Sequence, residues 1–246
     1  MAWYDEDYFE EDYFLLEEPT DLETIAHVAF LRSFLEEGAL EVLDLACGSG
    51  RLSLALARLA HRVTGLDASP RMIERLGAEA TRVGQSVETV CQDMRTLAFQ
   101  ARFDLVLSFA HSFGYFRDEE NLAVLRGVQR SLKSGGRFLL DLANRESLLH
   151  DFDRHARRWI VKKGNYIMFR REMDPLTGRL DSYVTLLREG GLAREHTTSV
   201  RYYAYPELKL MLQQAGLGIL EVYGSYERTP YSFSSPRMVV LAERPG

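Results

Sequence analysis

Two cysteines in 246 residues, with no zinc-type spacing, exclude a disulfide scaffold and point to a reducing compartment. No stretch approaches the roughly 18 uninterrupted apolar residues of a membrane-spanning helix. An excess of basic charge is missing as well: 30 Lys and Arg stand against 36 Asp and Glu, for a formal net charge of -6. The average surface therefore repels nucleic acid, which makes such a partner unlikely without a local basic patch. The N-terminus is acidic and aromatic, unlike the basic and then apolar start of a secretory leader, so the expected location is the cytoplasm. There is no internal repeat and no low-complexity segment. What is present, 46% hydrophobic and 27% charged residues, suffices for one sizeable core.

Between Leu40 and Asn144, short Val-, Leu- and Phe-rich runs alternate with longer helical patterns. Strands are predicted at Val42–Leu45, Arg62–Leu66, Val87–Cys91, Phe103–Phe109 and Arg137–Leu142. Helices are predicted at Leu52–Leu59, at Pro70–Gly84 behind a Ser69 cap, and at Asp118–Leu132 before "KSGG". This order implies an α/β, doubly wound, Rossmann-like parallel sheet with helices on both faces and ligands at the strands' carboxyl ends. From about Trp159 to Tyr205 the pattern changes to strand-like runs broken by "KGN", "DPLTG" and "EGG" turns, which reads as an antiparallel insertion after the fifth strand. A helix ending at Gly216 and two further strands follow, expected as a hairpin at the edge of a sheet of roughly seven strands, the last antiparallel. The expected division is a cap and helix over 1–38, a core over 39–144, a lid over 145–205, and a closing helix and hairpin over 206–246.

The turn in "VLDLACGSGR" poses the ligand question. Gly48 and Gly50 can take positive φ and bring backbone close to a ligand where a new helix points its amides outward. No Gly-Lys-Ser/Thr follows, so a P-loop is excluded, and only Ser53 loosely meets the dinucleotide fingerprint. Asp67 ends the second strand, where it can accept both hydroxyls of a ribose. Asp93 follows the third strand, placed to accept an adenine amino group with the Met94 amide beside it. With Asp44 as an anion in the first strand, the set suits a positively charged adenosyl ligand better than a pyrophosphate.

These segments, "LDLACGSGR", "GLDASPRMI", "CQDM", "FDLVLSFAHSFGYF" and "LKSGGRFLLDLAN" in this order, resemble the class I S-adenosylmethionine-dependent methyltransferases. The resemblance covers Leu40 to Asn144 and extends to the terminal "ELKLMLQQAGL" and "SPRMVVLAER". Ala46 departs from it, standing where many members have the first glycine. The resemblance implies S-adenosylmethionine as cofactor, held by Asp44, Ala46, Cys47, Gly48, Gly50, Asp67, Ala68, Met72, Asp93, Met94 and Phe109, and it implies no metal. Cys47 reads better as a small buried thiol than as a nucleophile, since no base adjoins it. Met72 is one of several helix Met and Leu residues, a pattern that more often fills a core.

Methyl transfer asks mainly for alignment, because the sulfonium is already activated, and a base only where the acceptor must lose a proton. His111 and Tyr115, after the fourth strand, are the catalytic candidates, and each has a structural alternative. No "NPPY"-like tetrapeptide is present, "SFAHSF" standing there, which lowers a DNA-adenine role. The head "WYDEDYFEEDYFLL" is expected to fold over the cleft through Tyr4, Tyr8 or Tyr13. The insertion's Tyr166, Tyr183, Tyr202 and Tyr203 would line an acceptor pocket or build a dimer face. The chain is loosely similar to the small-molecule and sugar N-methyltransferases, so the expected activity is methylation of a nitrogen or oxygen of a small molecule by a monomer or homodimer. Two alternatives remain. A tRNA or rRNA methyltransferase would need a basic stripe around Arg154, Arg157, Arg158, Lys162 and Lys163. A cofactor-binding interaction protein would bind the same ligand without turnover.

Overall fold

Helix α1 (Asp21–Arg32) leads into the alternating segment, where the apolar runs become five parallel strands. In chain order these elements are β1 (Glu41–Leu45), α2 (Arg51–Arg58), β2 (Arg62–Asp67), α3 (Pro70–Arg82), β3 (Val87–Cys91), β4 (Phe103–Ser108), α4 (Asp118–Ser131) and β5 (Leu132–Ala143). The computed structural model describes residues 12, 21–35, 38–188, 191 and 193–246. The boundaries fall within a few residues of the sequence expectation, except that β5 starts at Leu132, directly after α4.

Two apolar layers sandwich the sheet, and the period-two alternation of strands sorts residues between them. Leu43, Leu45, Val106, Phe138, Leu140 and Leu142 join the layer that includes α4 residues Val124, Leu125 and Val128. Val42, Leu105, Leu107 and Leu139 join the opposite layer with Phe30, Leu31, Leu52 and Leu56 of α1 and α2. Each of these side chains contributes about 1.5–3 kcal/mol by leaving water, so a register slip would move both layers to the wrong faces at once.

The last two strands, β10 (Gly218–Tyr223) and β11 (Arg237–Glu243), complete a seven-stranded sheet of order β10-β11-β5-β4-β1-β2-β3. The expected edge hairpin is only half at the edge. β11 pairs antiparallel with both β5 and β10, and Met238, Val239, Val240 and Leu241 are all buried because both its faces are covered.

The insertion forms a separate four-stranded antiparallel meander, β6 (Arg157–Lys162), β7 (Asn165–Asp174), β8 (Arg179–Leu187) and β9 (Ala193–Arg201), reached through short helices α5 (Arg145–His150) and α6 (Phe152–Ala156). One face carries the buried cluster Ile167, Phe169, Val184 and Leu186. The other presents Trp159 and Val161 of β6 in register with Met168 and Tyr166 of β7, all exposed. The meander is bonded to the core where Arg201 N–H donates to Gly114 O at 2.8 Å and Arg179 donates to the carbonyls of Tyr115 and Phe116 at 3.1 and 3.0 Å. Helix α7 (Tyr205–Gln214) then returns the chain to the main sheet. Among the described residues no helix is long and apolar enough to cross a membrane.

Candidate functional site

Three left-handed residues shape the turn after β1: Ala46 at φ 57°, Gly48 at φ 55° and Gly50 at φ 84°. Each has a different reason. A Cβ on Gly48 would meet nothing within 4 Å, so this position borders open space, while its N–H donates to Asp67 Oδ2 at 2.8 Å. A Cβ on Gly50 would lie 2.1 Å from Leu76 Cδ1, and its N–H closes the turn onto Cys47 O at 3.0 Å. The bare backbone of Gly50 thus serves the packing of α2 on α3, a different use from the ligand approach expected of it. Gly65 of β2 does the same, with a Cβ position 2.7 Å from Leu76 Cδ2. Nothing in the sequence separates these packing glycines from a ligand-facing one. Ala46 holds a conformation that costs a non-glycine residue about 1–2 kcal/mol.

Two acids border this turn. Asp67 also accepts the Ser69 N–H, at 2.9 Å. Burial pushes its pKa up against these bonds, and burial does the same to Asp44, which is 3% exposed and accepts a 2.6 Å bond from Ser53 Oγ. Arg51, just past the turn, lowers Asp44 through its charge and bonds His27 Nδ1 at 2.9 Å and Thr24 at 3.2 Å, tying α1 to the turn. The sequence reading passed over Arg51. Burial pushes the Cys47 thiol well up, so it is an inert packing group. Ala68 is exposed, and its carbonyl takes a weak 3.8 Å contact from Cys91 Sγ. Met72 is 1% exposed on α3, which makes it a core residue and not a wall of an open cleft. Asp93 caps a one-turn 3-10 helix at Met94–Thr96 and is gripped by the Arg95 guanidinium at 2.6–3.1 Å. Burial works against its charge, but the Arg95 bonds outweigh it and lower the pKa. Met94 is 8% exposed and joins the core.

The ends of β4 and β5 form a second cluster. Phe109 is 4% exposed, edge-on to His27 and stacked with Tyr226, so its ring packs α1 rather than lining open space. Ala110 and His111 follow at φ 57° and φ 64°, two consecutive left-handed residues held from both sides. Asp141 of β5, fully buried, accepts the Ala110 N–H at 2.9 Å, the Tyr226 hydroxyl at 2.9 Å and Arg237 Nε at 2.8 Å, while its carbonyl accepts the His111 N–H at 3.1 Å. His111 Nδ1 accepts the Ala143 N–H at 3.1 Å, which assigns the neutral tautomer with hydrogen on Nε2. That Nε2 is out of solvent and has no hydrogen-bond partner among the described residues. Burial, with Arg237 adding to it, lowers the His111 pKa to about 3. An N–H left bare in this way costs about 1–3 kcal/mol. The Nε2 position therefore offers a donor, where a base would need a lone pair.

Two groups of contacts lie near the ends of β4 and β5, one at His111 and one at Tyr231. Tyr202 lies 4.3 Å from the imidazole, Tyr205 is 6.1 Å from Tyr231, and the Tyr231 hydroxyl lies 2.8 Å from Asn144 Oδ1 and 3.0 Å from Glu146 Oε2. Asn144 follows Ala143, whose N–H bonds His111. Glu146 is half-buried, and its Oε1 lies 3.9 Å from Arg145 Nη1. Neither Glu146 nor Tyr231 stood out in the sequence, since an acid in the first turn of a helix is usually a dipole partner. Tyr115 is half-buried beside Phe116.

Tyr4, Tyr8 and Tyr13 lie outside the described residues. Asp12, between them, is 1% exposed and pairs with Arg188, with Arg194 at 3.4 Å and with His196 Nε2 at 2.8 Å on the meander. Tyr166 is 55% exposed beside Trp159, on the face of the meander opposite its buried cluster and in register with the exposed Val161. Tyr183 lies under Arg170, and Tyr203 is a core residue bonded to Asp118 and Asn121. Arg154, Arg157, Arg158 and Lys163 are exposed and Lys162 half-buried along α6 and the free edge of β6. Among the described residues no group of three or more His, Cys, Asp and Glu is placed to hold a metal ion.

Comparison with known proteins adds three findings. The family described as methyltransferase domain matches residues 42–136. Over 224 residues, 88% of this chain and 88% of the relative, the sequence is 33% identical to a cypemycin N-terminal methyltransferase of a Streptomyces species. Among solved structures the chain resembles the CcbJ methyltransferase from Streptomyces caelestis (TM-score 0.84, 23% identity, 100% of this chain and 99% of that one) and a sugar N-methyltransferase from Streptoalloteichus sp. (TM-score 0.71, 20% identity, 91% and 88%).

Proposed function

The chain belongs to the class I S-adenosylmethionine-dependent methyltransferases, with S-adenosylmethionine as its cofactor, and on that premise we propose that it methylates an amine nitrogen of a small molecule or of a peptide N-terminus. The observation that carries the choice of nitrogen is the near full-length similarity to an enzyme named for methylating an N-terminus. The fold likeness to a sugar N-methyltransferase agrees with it.

The residues fit the cofactor. The open space over Gly48 admits close approach, Asp67 offers a carboxylate at the end of β2, and Asp44, held up by burial, is relieved by a nearby cation. We assign the ribose to Asp67, the cationic amino-acid end to the surroundings of Asp44, and the adenine to Asp93 and Met94. Asp93 accepts two bonds from Arg95 on each oxygen, the backbone N–H and Nε on Oδ1 and Nε and Nη2 on Oδ2, so an adenine amino group would share these oxygens with the guanidinium. Ala46, Cys47 and Ala68 contribute backbone, whereas Gly50, Met72 and Phe109 act through packing. S-adenosylmethionine supplies a methyl group already activated on sulfur. The protein's task is then to orient the acceptor and keep water out. His111 is the candidate for orienting it, as a donor, and Tyr115 and Tyr202 flank it. Asp12, the one described residue of the head, pairs with Arg188, Arg194 and His196 of the meander.

The test is direct. Incubation with methyl-labelled S-adenosylmethionine and matched amine, alcohol and RNA acceptors should put label on the amine. Label on RNA, lost as salt rises, would favour the basic β6 edge as an RNA surface. Cofactor binding with no transfer to any extract fraction would leave an interaction protein.

A further inference from the structure

The geometry points to the free edge of β6 as a docking strip for an extended acidic peptide with apolar side chains at alternate positions. The inference goes beyond the amine reading above and does not depend on it, because the strip belongs to the meander and not to the cofactor turn. Among the described residues β6 pairs with β7 alone, so one side of its backbone has no strand beside it. The hairpin turn decides which residues face that side. Lys162 and Asn165 are register partners across the two-residue loop of Lys163 and Gly164, and φ values of 50° and 78° make the loop type I′. Such a loop closes on a hydrogen-bonded pair, and bonded and open pairs then alternate along an antiparallel ladder. Val161, Trp159 and Arg157 therefore fall at the open positions, with N–H and C=O turned away from β7.

The side chains set the chemistry of the occupant. From Arg154 to Arg171 the sequence holds seven bases and no acid, in a chain whose net charge is -6. Trp159 and Val161 are 68% and 56% exposed, with Met168 and Tyr166 as their register partners on the same face. Lysine and arginine at a free edge guard it against self-pairing, but a guarded edge gains nothing from a Trp and a Val in water at the positions whose backbone is open. A second copy of β6 is a poor occupant, since pairing would bring the bases of both copies together. A nucleic acid would meet the same charge without using the row of outward N–H and C=O groups. An added strand puts the residues opposite Trp159 and Val161 on the apolar outer face. Those opposite Arg158 and Lys162 fall on the inner face, where the Arg158 guanidinium lies 4.7 Å from the Phe169 ring centre. The matching strand thus has apolar residues opposite Val161 and Trp159 and acids opposite Lys162, Arg158 and Arg157. Backbone bonds give it affinity, and the alternation gives selectivity.

The experiment uses full-length enzyme saturated with S-adenosylhomocysteine and the probe acetyl-Glu-Val-Thr-Phe-Glu-Glu-amide, which carries no free amine. Written antiparallel to β6, its Val and Phe lie opposite Val161 and Trp159. Calorimetry measures affinity, and nitrogen-15 spectra should show the Arg157, Trp159 and Val161 amides moving. N-methylation of the probe's Val and Phe nitrogens removes donors that face the edge and should weaken binding about tenfold or more. N-methylation of Thr and the Glu after Phe, whose N–H groups face away, should change affinity by less than about threefold. Val161→Pro removes an outward N–H without breaking the β6–β7 ladder and should weaken the probe about tenfold, with S-adenosylhomocysteine affinity as the check that the variant is folded. R157E should also weaken it, and a probe with Lys in place of its three Glu should not bind. Equal losses from the two pairs of N-methyl positions, or V161P with full affinity, overturns strand addition. No binding at about 1 mM probe, or tighter binding of hexauridylate at equal salt, overturns the peptide as occupant. The N-methyl series needs no altered protein. Probe binding by an enzyme that methylates no amine would keep the strip and remove the nitrogen reading.

Discussion

Gly50→Ala should destabilise the fold through one contact and through its left-handed backbone, and Leu76→Ala should cancel the part due to the contact. The new Cβ would stand 2.1 Å from Leu76 Cδ1, and Leu76 is fully buried, so its side chain has nowhere to turn. Overpacking of this kind costs about 1–3 kcal/mol. The left-handed backbone at φ 84° adds about 1–2 kcal/mol for any residue with a Cβ. The sum, about 2–5 kcal/mol, is a large part of the roughly 5–15 kcal/mol of a typical domain. Leu76→Ala alone should cost about 2–5 kcal/mol by leaving a cavity. In the double variant the overlap is gone and the alanine methyl partly fills the space, so the two costs should fall short of additive by about 1 kcal/mol or more. Urea unfolding followed by circular dichroism, at constant slope, measures all four corners of the cycle. Gly48→Ala is the control: its φ of 55° brings similar strain, but its Cβ meets nothing within 4 Å. It should keep the fold and weaken S-adenosylmethionine in calorimetry, and Gly48→Val should abolish binding. Additive costs within about 0.5 kcal/mol, or a Gly48→Ala variant as unstable as Gly50→Ala, would refute the division of labour between the two glycines.

Ala46→Gly should stabilise by about 1 kcal/mol by relieving the left-handed alanine at φ 57°, raising Tm by about 2–4 °C in calorimetry; no change would mean that the backbone there is unstrained. Asp67→Ala should weaken S-adenosylmethionine by about 1–3 kcal/mol and also cost stability, since Gly48 and Ser69 N–H lose their acceptor; unchanged affinity in a folded variant would remove Asp67 from the site. Stability should fall as pH drops from the ordinary histidine value of 6.5 toward 3, because the unfolded chain takes up a proton on His111 that the folded chain refuses until about pH 3. That loss reaches on the order of 2 kcal/mol by pH 5; His27, which burial lowers to about 4, loses stability in the same direction, so His111→Asn should reduce the fall of the urea midpoint over this window by about half while tolerating φ 64°.

The order of strands and helices was legible in the chain because burial on both faces of a parallel sheet writes continuous apolar runs, and helices between them write a 3.6-residue period. The glycine turn and the acids at three strand ends were legible for a related reason: a turn needs its glycines, and strand ends in this architecture converge on one cleft. The meander was legible from its turns. Which glycine borders open space was not legible, because Gly48 and Gly50 share residue type, sign of φ and neighbourhood, and differ only in whether Leu76, 26 residues beyond Gly50, occupies the space. His111 could be singled out but not given a role, since its tautomer depends on Ala143, a residue of another strand. Glu146 and Tyr231 were invisible as a pair because 85 residues separate them and no local pattern marks either. β11 looked like an edge strand until β5 and β10 closed on both its sides. Local preferences thus determined the elements and the glycine turn, whereas spare hydrogen-bonding capacity, which depends on every neighbour of an atom, was decided only when the strands were brought together.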